Sequence, residues 1–372
     1  MHVLAVILAL AACERPSAAL EGEAPAREQG QRHDAGLRMP VARATHGAAV
    51  ARDGRVLLIG GCVAESCEGG PESATVDAYD PRTGRFASAG RLVSRRISPA
   101  AIALHTGEVL IAGGWSGFSV TPLVEIFDPA TGKSRRLADL SVARADIAAV
   151  RLADGRVLLA GGYDGAGPLA VVELFDPKTS TLSPAGALSV PRAGAAAALL
   201  ANGTVLLAGG AGAGLRPTAA AEIFDPAVRR SAPVGSLAEA RYKHAAVALP
   251  DGRVLVIGGS DARDSRGKLR SIESFDPATR TFRPAGTMLE PRYKIANAVQ
   301  LLPGGKVLIA GGGVRAELYD PATRRSTAVG PDFGAALNFA TASLLPDGSV
   351  LVAGGYGERG IAMSARAWRF RP

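Results

Sequence analysis

Short apolar runs recur along the chain, and each ends in a pair of glycines: VLLIGG at 56–61, VLIAGG at 109–114, VLLAGG at 157–162 and 205–210, VLVIGG at 254–259, VLIAGG at 307–312 and VLVAGG at 350–355. Runs this short and continuous predict strands buried on both faces. A shorter stretch of small residues precedes each one, as HAAVALP does at 244–250, and the following Asp251-Gly252 predicts a tight hairpin. After each glycine pair comes a variable loop. Then follow a strand of the type SIESFDP (271–277), stopped by an Asp-Pro turn, and a more polar strand of the type TFRPAGTM (281–288). The unit predicted is four antiparallel strands.

From one second glycine to the next the spacings are 53, 48, 48, 49, 53 and 43 residues. Such units cannot bury both faces alone and must pack against one another. The pattern resembles the kelch repeat, with strings such as VELFDPKT (172–179) and DGRVLLAGG (154–162). The resemblance covers residues 35–372 and implies an all-β, seven-bladed β-propeller. The chain ends at ARAWRFRP, a third strand without its fourth, while AGLRMPVAR at 35–43 is similar to AGALSVPR at 185–192. The N-terminal segment is therefore expected to supply the outer strand of the last blade.

Composition narrows the setting. With 47% hydrophobic residues the chain is not mainly disordered, and its 46 glycines follow no collagen period. Val3 to Cys13 is too short to span a membrane and has the length of a signal-peptide core. Leu10-Ala11-Ala12-Cys13 resembles a bacterial lipobox, so residues 1–12 are read as a signal peptide and Cys13 as the lipidated residue. Residues 13–34 read as a flexible tether. The expected location is the cell envelope, periplasmic or on the outer surface, with membrane contact only through the lipid. Cys62 and Cys67 read as a local disulfide; a zinc half-site would need further ligands nearby. The net charge is +8, yet export disfavours nucleic acid as a partner.

Residues that recur in every blade are most simply scaffold. Arg43, Arg96, Arg144, Arg192, Arg241 and Arg292 open the innermost strand of six blades. Asp77, Glu125, Glu173, Glu222, Glu273 and Glu317 open the third strand of the same six, and blade seven loses both partners together, having Leu337 and Arg366. Bidentate Arg–carboxylate pairs are expected, the alternative being an arginine-lined funnel for anions. Asp80, Asp128, Asp176, Asp225, Asp276 and Asp320, each before Pro, suit Asx turns.

Differences between blades are where function is expected. The loop after the glycine pair is 10 to 15 residues long in the other blades but only 4 in blade six, predicting a notch. Tyr242, Lys243, Tyr293 and Lys294 follow the repeated Arg in blades five and six only, the 260–270 loop adds Asp261, Arg263 and Lys268, and the 356–360 loop adds Tyr356, Glu358 and Arg359. Trp115 and Phe118 lie across the ring. Aromatics among hydrogen-bonding groups suit a sugar or an extended peptide, and the positive balance suits carboxylates or phosphates. The alternative is an ordinary solvated rim. Tyr293 and Lys294 together are expected to be replaceable by alanine without loss of stability.

The resemblance also implies enzymatic candidates. Galactose oxidase shares the propeller type and holds copper with two Tyr and two His, but the folded region has only His46, His105 and His244. His46 and His244 occupy the same inner-strand position, facing the channel or packed within the blades. Sialate epimerases are propellers of similar size, for which Glu358, Arg359 and Lys294 would be the available groups. The expectation is a non-catalytic, monomeric binding platform without cofactor, recognising a glycan or an envelope or extracellular protein. A carbohydrate-active enzyme is the alternative.

Overall fold

The glycine-terminated runs form the second strand of every blade in the structure, a computed structural model that describes residues 33–63, 72–357 and 362–371. Val56–Ile59 and Val254–Ile257 are buried at every position, as expected of strands covered on both faces. Blade five shows the order from axis to rim: Ala245–Ala248, Val254–Ile257, Ser271–Asp276 and Thr281–Thr287. Seven such four-stranded antiparallel sheets make the propeller, with one small ribbon, Trp115–Ser116 paired to Ser119–Val120, added on blade two.

Closure uses both ends of the chain. His33–Arg38 pairs antiparallel with Arg366–Phe370, from His33 opposite Phe370 to Arg38 opposite Arg366, and so becomes the outer strand of blade seven. This strand begins two residues before the boundary expected from the repeat. The expected signal peptide, Cys13 and the tether up to residue 32 lie outside the described residues. Apolar clusters sit between blades: Val56, Leu58 and Tyr79 of blade one pack with Leu345, Leu351 and Ala367 of blade seven, which joins the ends of the ring.

Each of the six repeated arginines is buried against its blade's carboxylate. The geometry differs from the bidentate fork expected. In blade four, Arg192 Nη2 donates to Glu222 Oε1 at 2.6 Å, while Nη1 donates to the carbonyls of Gly209 (2.9 Å) and Ala220 (2.8 Å). The reason lies in the glycine pair, which turns the chain out of the sheet and leaves the Gly209 carbonyl in need of a donor, while the Ala220 carbonyl also accepts from Gly209 N at 3.0 Å. The second carboxylate oxygen holds the preceding link, as Glu222 Oε2 does by accepting from Ser189 N at 2.6 Å. The glycines are demanded by space: a Cβ on Gly259, at φ 96°, would stand 2.7 Å from the Tyr242 carbonyl oxygen. The Asp-Pro aspartates close Asx turns, Asp276 Oδ1 accepting from Ala278 N at 2.9 Å.

Candidate functional site

Two residues beyond the repeated arginine the backbone turns left-handed in every blade. The residues are Thr45 (φ 51°), Ser98 (50°), Asp146 (53°), Gly194 (58°), Lys243 (56°), Lys294 (57°) and Phe339 (54°). Only glycine adopts this conformation freely, so the scaffold imposes it on the other six. Backbone bonds link neighbours around the ring: Ser98 N donates to Thr45 O at 2.8 Å, and Phe339 N to Lys294 O at 2.9 Å. Beneath this ring runs the axial channel, a cavity of about 280 Å³ walled largely by alanines, with Asp146, Lys294 and Phe339 among its lining.

Above the ring, in blades one to five the residue after the arginine pairs with the residue after the second glycine, and in blade seven the residue after Leu337 does so. The pairs include Ala44 with Cys62, Ile97 with Trp115, Ala145 with Tyr163, Ala193 with Ala211, Tyr242 with Ser260, and Asn338 with Tyr356. In blades one to four all of these positions but Ala44 form one cluster, with Tyr163 in it. Trp115 belongs to it, 5% exposed, with its ring 5.8 Å from that of Tyr163. Its expected place in a ligand surface is thus corrected: small neighbours let the indole sink into the layer. Phe118, on the tip of the added ribbon, is 71% exposed. Cys62 is disulfide-bonded, and Cys67 lies outside the described residues.

Blades five to seven replace the apolar layer with tyrosines and charge. Lys243 Nζ donates to Asp264 Oδ1 at 2.7 Å, and Tyr242 OH donates to the same oxygen at 2.5 Å. Lys294 Nζ donates to Tyr356 OH at 2.7 Å. The ammonium groups also sit on aromatic faces: Lys294 is 4.7 Å from the Tyr293 centroid, 5.3 Å from Tyr356 and 5.5 Å from Phe339, and Lys268 is 5.2 Å from Tyr293. Tyr293 and Lys294 are only 3% and 2% exposed. They are part of the packed mouth, which corrects the expectation of an open notch there, and replacing both with alanine is now expected to cost stability. Asp261 and Arg263 pair with each other at 2.5 Å on the surface. Glu358 and Arg359 lie outside the described residues.

Sequence reasoning missed Asp264 and Asp146. Asp264 faces Lys243 from the same loop that supplied Asp261. Burial works to raise its pKa, but the Lys243 ammonium, the bonds from Lys243 and Tyr242, and the charge of Lys294 outweigh burial and hold the carboxyl below its usual range. Burial pushes the Asp146 carboxyl up to about 6 against the pull of Lys243. Burial lowers Lys243, offset by Asp264, and burial with the bond to Asp264 raises Tyr242. The signal available for Asp146 was register: it stands in blade three where Lys243 and Lys294 stand in blades five and six.

His46 and His244 are buried, with Nε2 3.0 Å from Thr341 Oγ1 and 3.1 Å from Ala208 O respectively. Burial drops both to about 3. Each stands one residue before the first strand of its blade, bonded to a neighbouring blade and lining the channel wall.

Comparison with known proteins fits the architecture. The family model described as Kelch motif matches residues 241–289. No curated protein matches the sequence. Among solved structures, a fungal alcohol oxidase of the AA5 family in complex with copper is 19% identical with a TM-score of 0.71, covering 90% of this chain and 75% of that one. At this identity the likeness concerns the fold alone. A copper centre with two His and two Tyr does not fit the residues present: His46 and His244 stand on separate blades with Nε2 bonded to Thr341 and Ala208, and among the described residues no three His, Cys, Asp or Glu side chains converge in their place. The chain is an all-β, seven-bladed propeller carrying a Kelch motif.

Proposed function

We propose that this protein is a non-catalytic binding platform that recognises a glycan or a protein segment at the channel mouth of blades five to seven. One observation carries the reading: the repeated positions that pack as one layer in blades one to four, where the single tyrosine, Tyr163, is bonded to its own loop, hold Tyr242, Tyr293, Asn338 and Tyr356 in the other three, around Lys243, Lys294 and Asp264. A scaffold needs no such sector. Aromatic rings beside hydrogen-bonding groups in a concave site suit recognition of a polar ligand. A lipid on Cys13 would tether the platform to a bacterial envelope, leaving this face free to meet glycans or proteins there.

A carbohydrate-active enzyme is the second reading. Asp146 favours it, because a carboxyl titrating near 6 is placed for general acid–base work. The test is a screen of the full chain against glycan and envelope-protein arrays, with sugar-oxidation assays in added copper and mutarotation assays alongside. Binding that is lost in Tyr242→Phe and Asp264→Asn supports the platform. Turnover abolished by Asp146→Asn would replace it with the enzyme.

A further inference from the structure

The opposite end of the axial channel breaks the repeat in a second place. The inner strands of blades one to four end there at Val50, Ala103, Arg151 and Leu199, and these residues line an open cleft of about 810 Å³. That volume lies within the range of small-ligand pockets. Two positions of each blade stand at this end, the last residue of the inner strand and the residue two further on. In blades five to seven they hold Ala248 with Pro250, Leu301 with Pro303 and Leu344 with Pro346. In blades one to three the same two positions supply Arg52, His105 and Arg151, all exposed and all lining the cleft. The scaffold closes without a basic residue here in four blades.

The three side chains converge on one hairpin, residues 103–107 of blade two. Arg151 reaches it from blade three, with Nη1 donating to the Ala103 carbonyl at 2.9 Å. Arg52 reaches it from blade one: a Cβ on Gly107 would stand 3.6 Å from Arg52 Cβ and 3.7 Å from its Cδ, so the aliphatic stem lies along the turn. His105 belongs to the hairpin itself. Its ring lies over the next turn, where a Cβ on Gly155 would stand 2.6 Å from Nδ1, so only glycine leaves room for it.

Positive charge is left over at this place. The hairpin carboxylates are already taken: Asp53 pairs with Arg55 at 2.7 Å, Asp154 with Arg156 at 2.8 Å and Glu108 with Arg135 at 3.7 Å. Among the described residues no carboxylate pairs with Arg52 or Arg151. A concave wall concentrates the field of such uncompensated cations. Guanidinium groups match oxyanions in geometry and are weakly hydrated. Two of them, joined by an imidazole, surround a tetrahedral dianion more fully than a planar carboxylate with a single charge.

We infer that this cleft binds the phosphate group of a small phosphomonoester, with Arg52 and Arg151 donating to its oxygens, His105 donating from its ring, and the rest of the ligand lying against Val50 and Leu199. The site is separate from the tyrosine sector of blades five to seven and does not depend on it.

The experiment is titration calorimetry of the full chain with glycerol 3-phosphate, inorganic phosphate, glycerate and glycerol, in about 0.15 M salt so that diffuse attraction is screened. Glycerol 3-phosphate should bind and glycerol should not. Arg52→Gln and Arg151→Gln should each weaken the phosphate ester about tenfold or more, the scale of a hydrogen bond to a charged group. Both side chains are exposed, so the melting temperature should not move. Arg85→Gln removes the same charge from the exposed outer strand of blade one and should leave the affinity unchanged. Equal weakening in Arg85→Gln would reduce the effect to net charge and overturn the site, as would an affinity that neither cleft variant changes, or no binding of the ester at all. Glycerate binding as tightly as the ester overturns the choice of a phosphate. Inorganic phosphate binding where the ester does not overturns the monoester.

Discussion

Replacing Arg192 with methionine tests whether the repeated arginines are scaffold or an anion funnel. The guanidinium is buried; it gives one bond to Glu222 and two to the carbonyls of Gly209 and Ala220. Breaking a buried ion pair costs about 3–5 kcal/mol. Glu222 would keep donors from Ser189 and Ser231, which puts that contribution at the lower end. The Gly209 carbonyl losing its donor adds roughly 1 kcal/mol, whereas the Ala220 carbonyl keeps the Gly209 N–H at 3.0 Å. Arg192→Met should therefore cost about 4 kcal/mol, a large share of the 5–15 kcal/mol typical of a folded domain. The double variant Arg192→Met/Glu222→Leu removes the stranded carboxylate but not the stranded carbonyl, so it should recover most of the loss and remain about 1 kcal/mol below wild type. Urea unfolding of the full chain measures both. Arg263→Met, on an exposed pair, is the control and should change nothing measurable. If Arg192→Met costs under about 1 kcal/mol while abolishing ligand binding, the scaffold reading is wrong and the arginines form the funnel.

Three more outcomes follow from the same structure. Deleting residues 33–40 exposes the edge of Arg366–Phe370 and removes buried Met39, so thermal scans should show a loss of several kcal/mol, about 1 per backbone bond and about 2 for the methionine; an unchanged melting temperature would contradict the clasp. His46 and His244 titrate near 3 when folded and near 6.5 unfolded, so below pH 6.5 the unfolded state takes up protons that the fold refuses. Stability should fall by about 1.4 kcal/mol per histidine per pH unit between 6.5 and 3, near 4 kcal/mol in all by pH 5, and His244→Gln should shallow that slope. Asp146 has the opposite sign: its folded pKa is raised to about 6, so it keeps its proton between pH 4 and 6 while the unfolded chain releases it, and stability declines as pH rises through that window. Asp146→Asn should therefore stabilise by up to about 3 kcal/mol at pH 8 and by nothing at pH 4; equal effects at both values would refute the shift.

What the sequence disclosed and what it hid divide along the symmetry of the ring. The strands, the Asx turns and the Arg–carboxylate partners recur from blade to blade, so each position is read several times in one chain, and the closure follows from the fourth strand that blade seven alone lacks. Hydrogen-bond detail was not legible: the pattern pairs Arg192 with Glu222, but only the fold shows that the glycine turn leaves the Gly209 carbonyl for the same guanidinium. The channel mouth breaks symmetry, and there the reading was partial. Tyr242, Lys243, Tyr293 and Lys294 stood out as deviations from the repeat, whereas Asp146 lay in a blade that is otherwise ordinary. Loop length misled as well, because the short blade-six loop does not open a notch over residues as buried as Tyr293 and Lys294. The left-handed ring explains both results. At this position the scaffold dictates backbone conformation and leaves the side chain free to vary, from Gly194 to Lys294 to Phe339. A residue held there has its backbone fixed by the seven-fold architecture while its side chain differs from blade to blade, from the glycine of blade four to the packed Lys294 of blade six. That combination of rigidity and freedom is what a recognition site requires, and it directs attention to the mouth of the channel, ahead of the longer and more conspicuous loops of the rim.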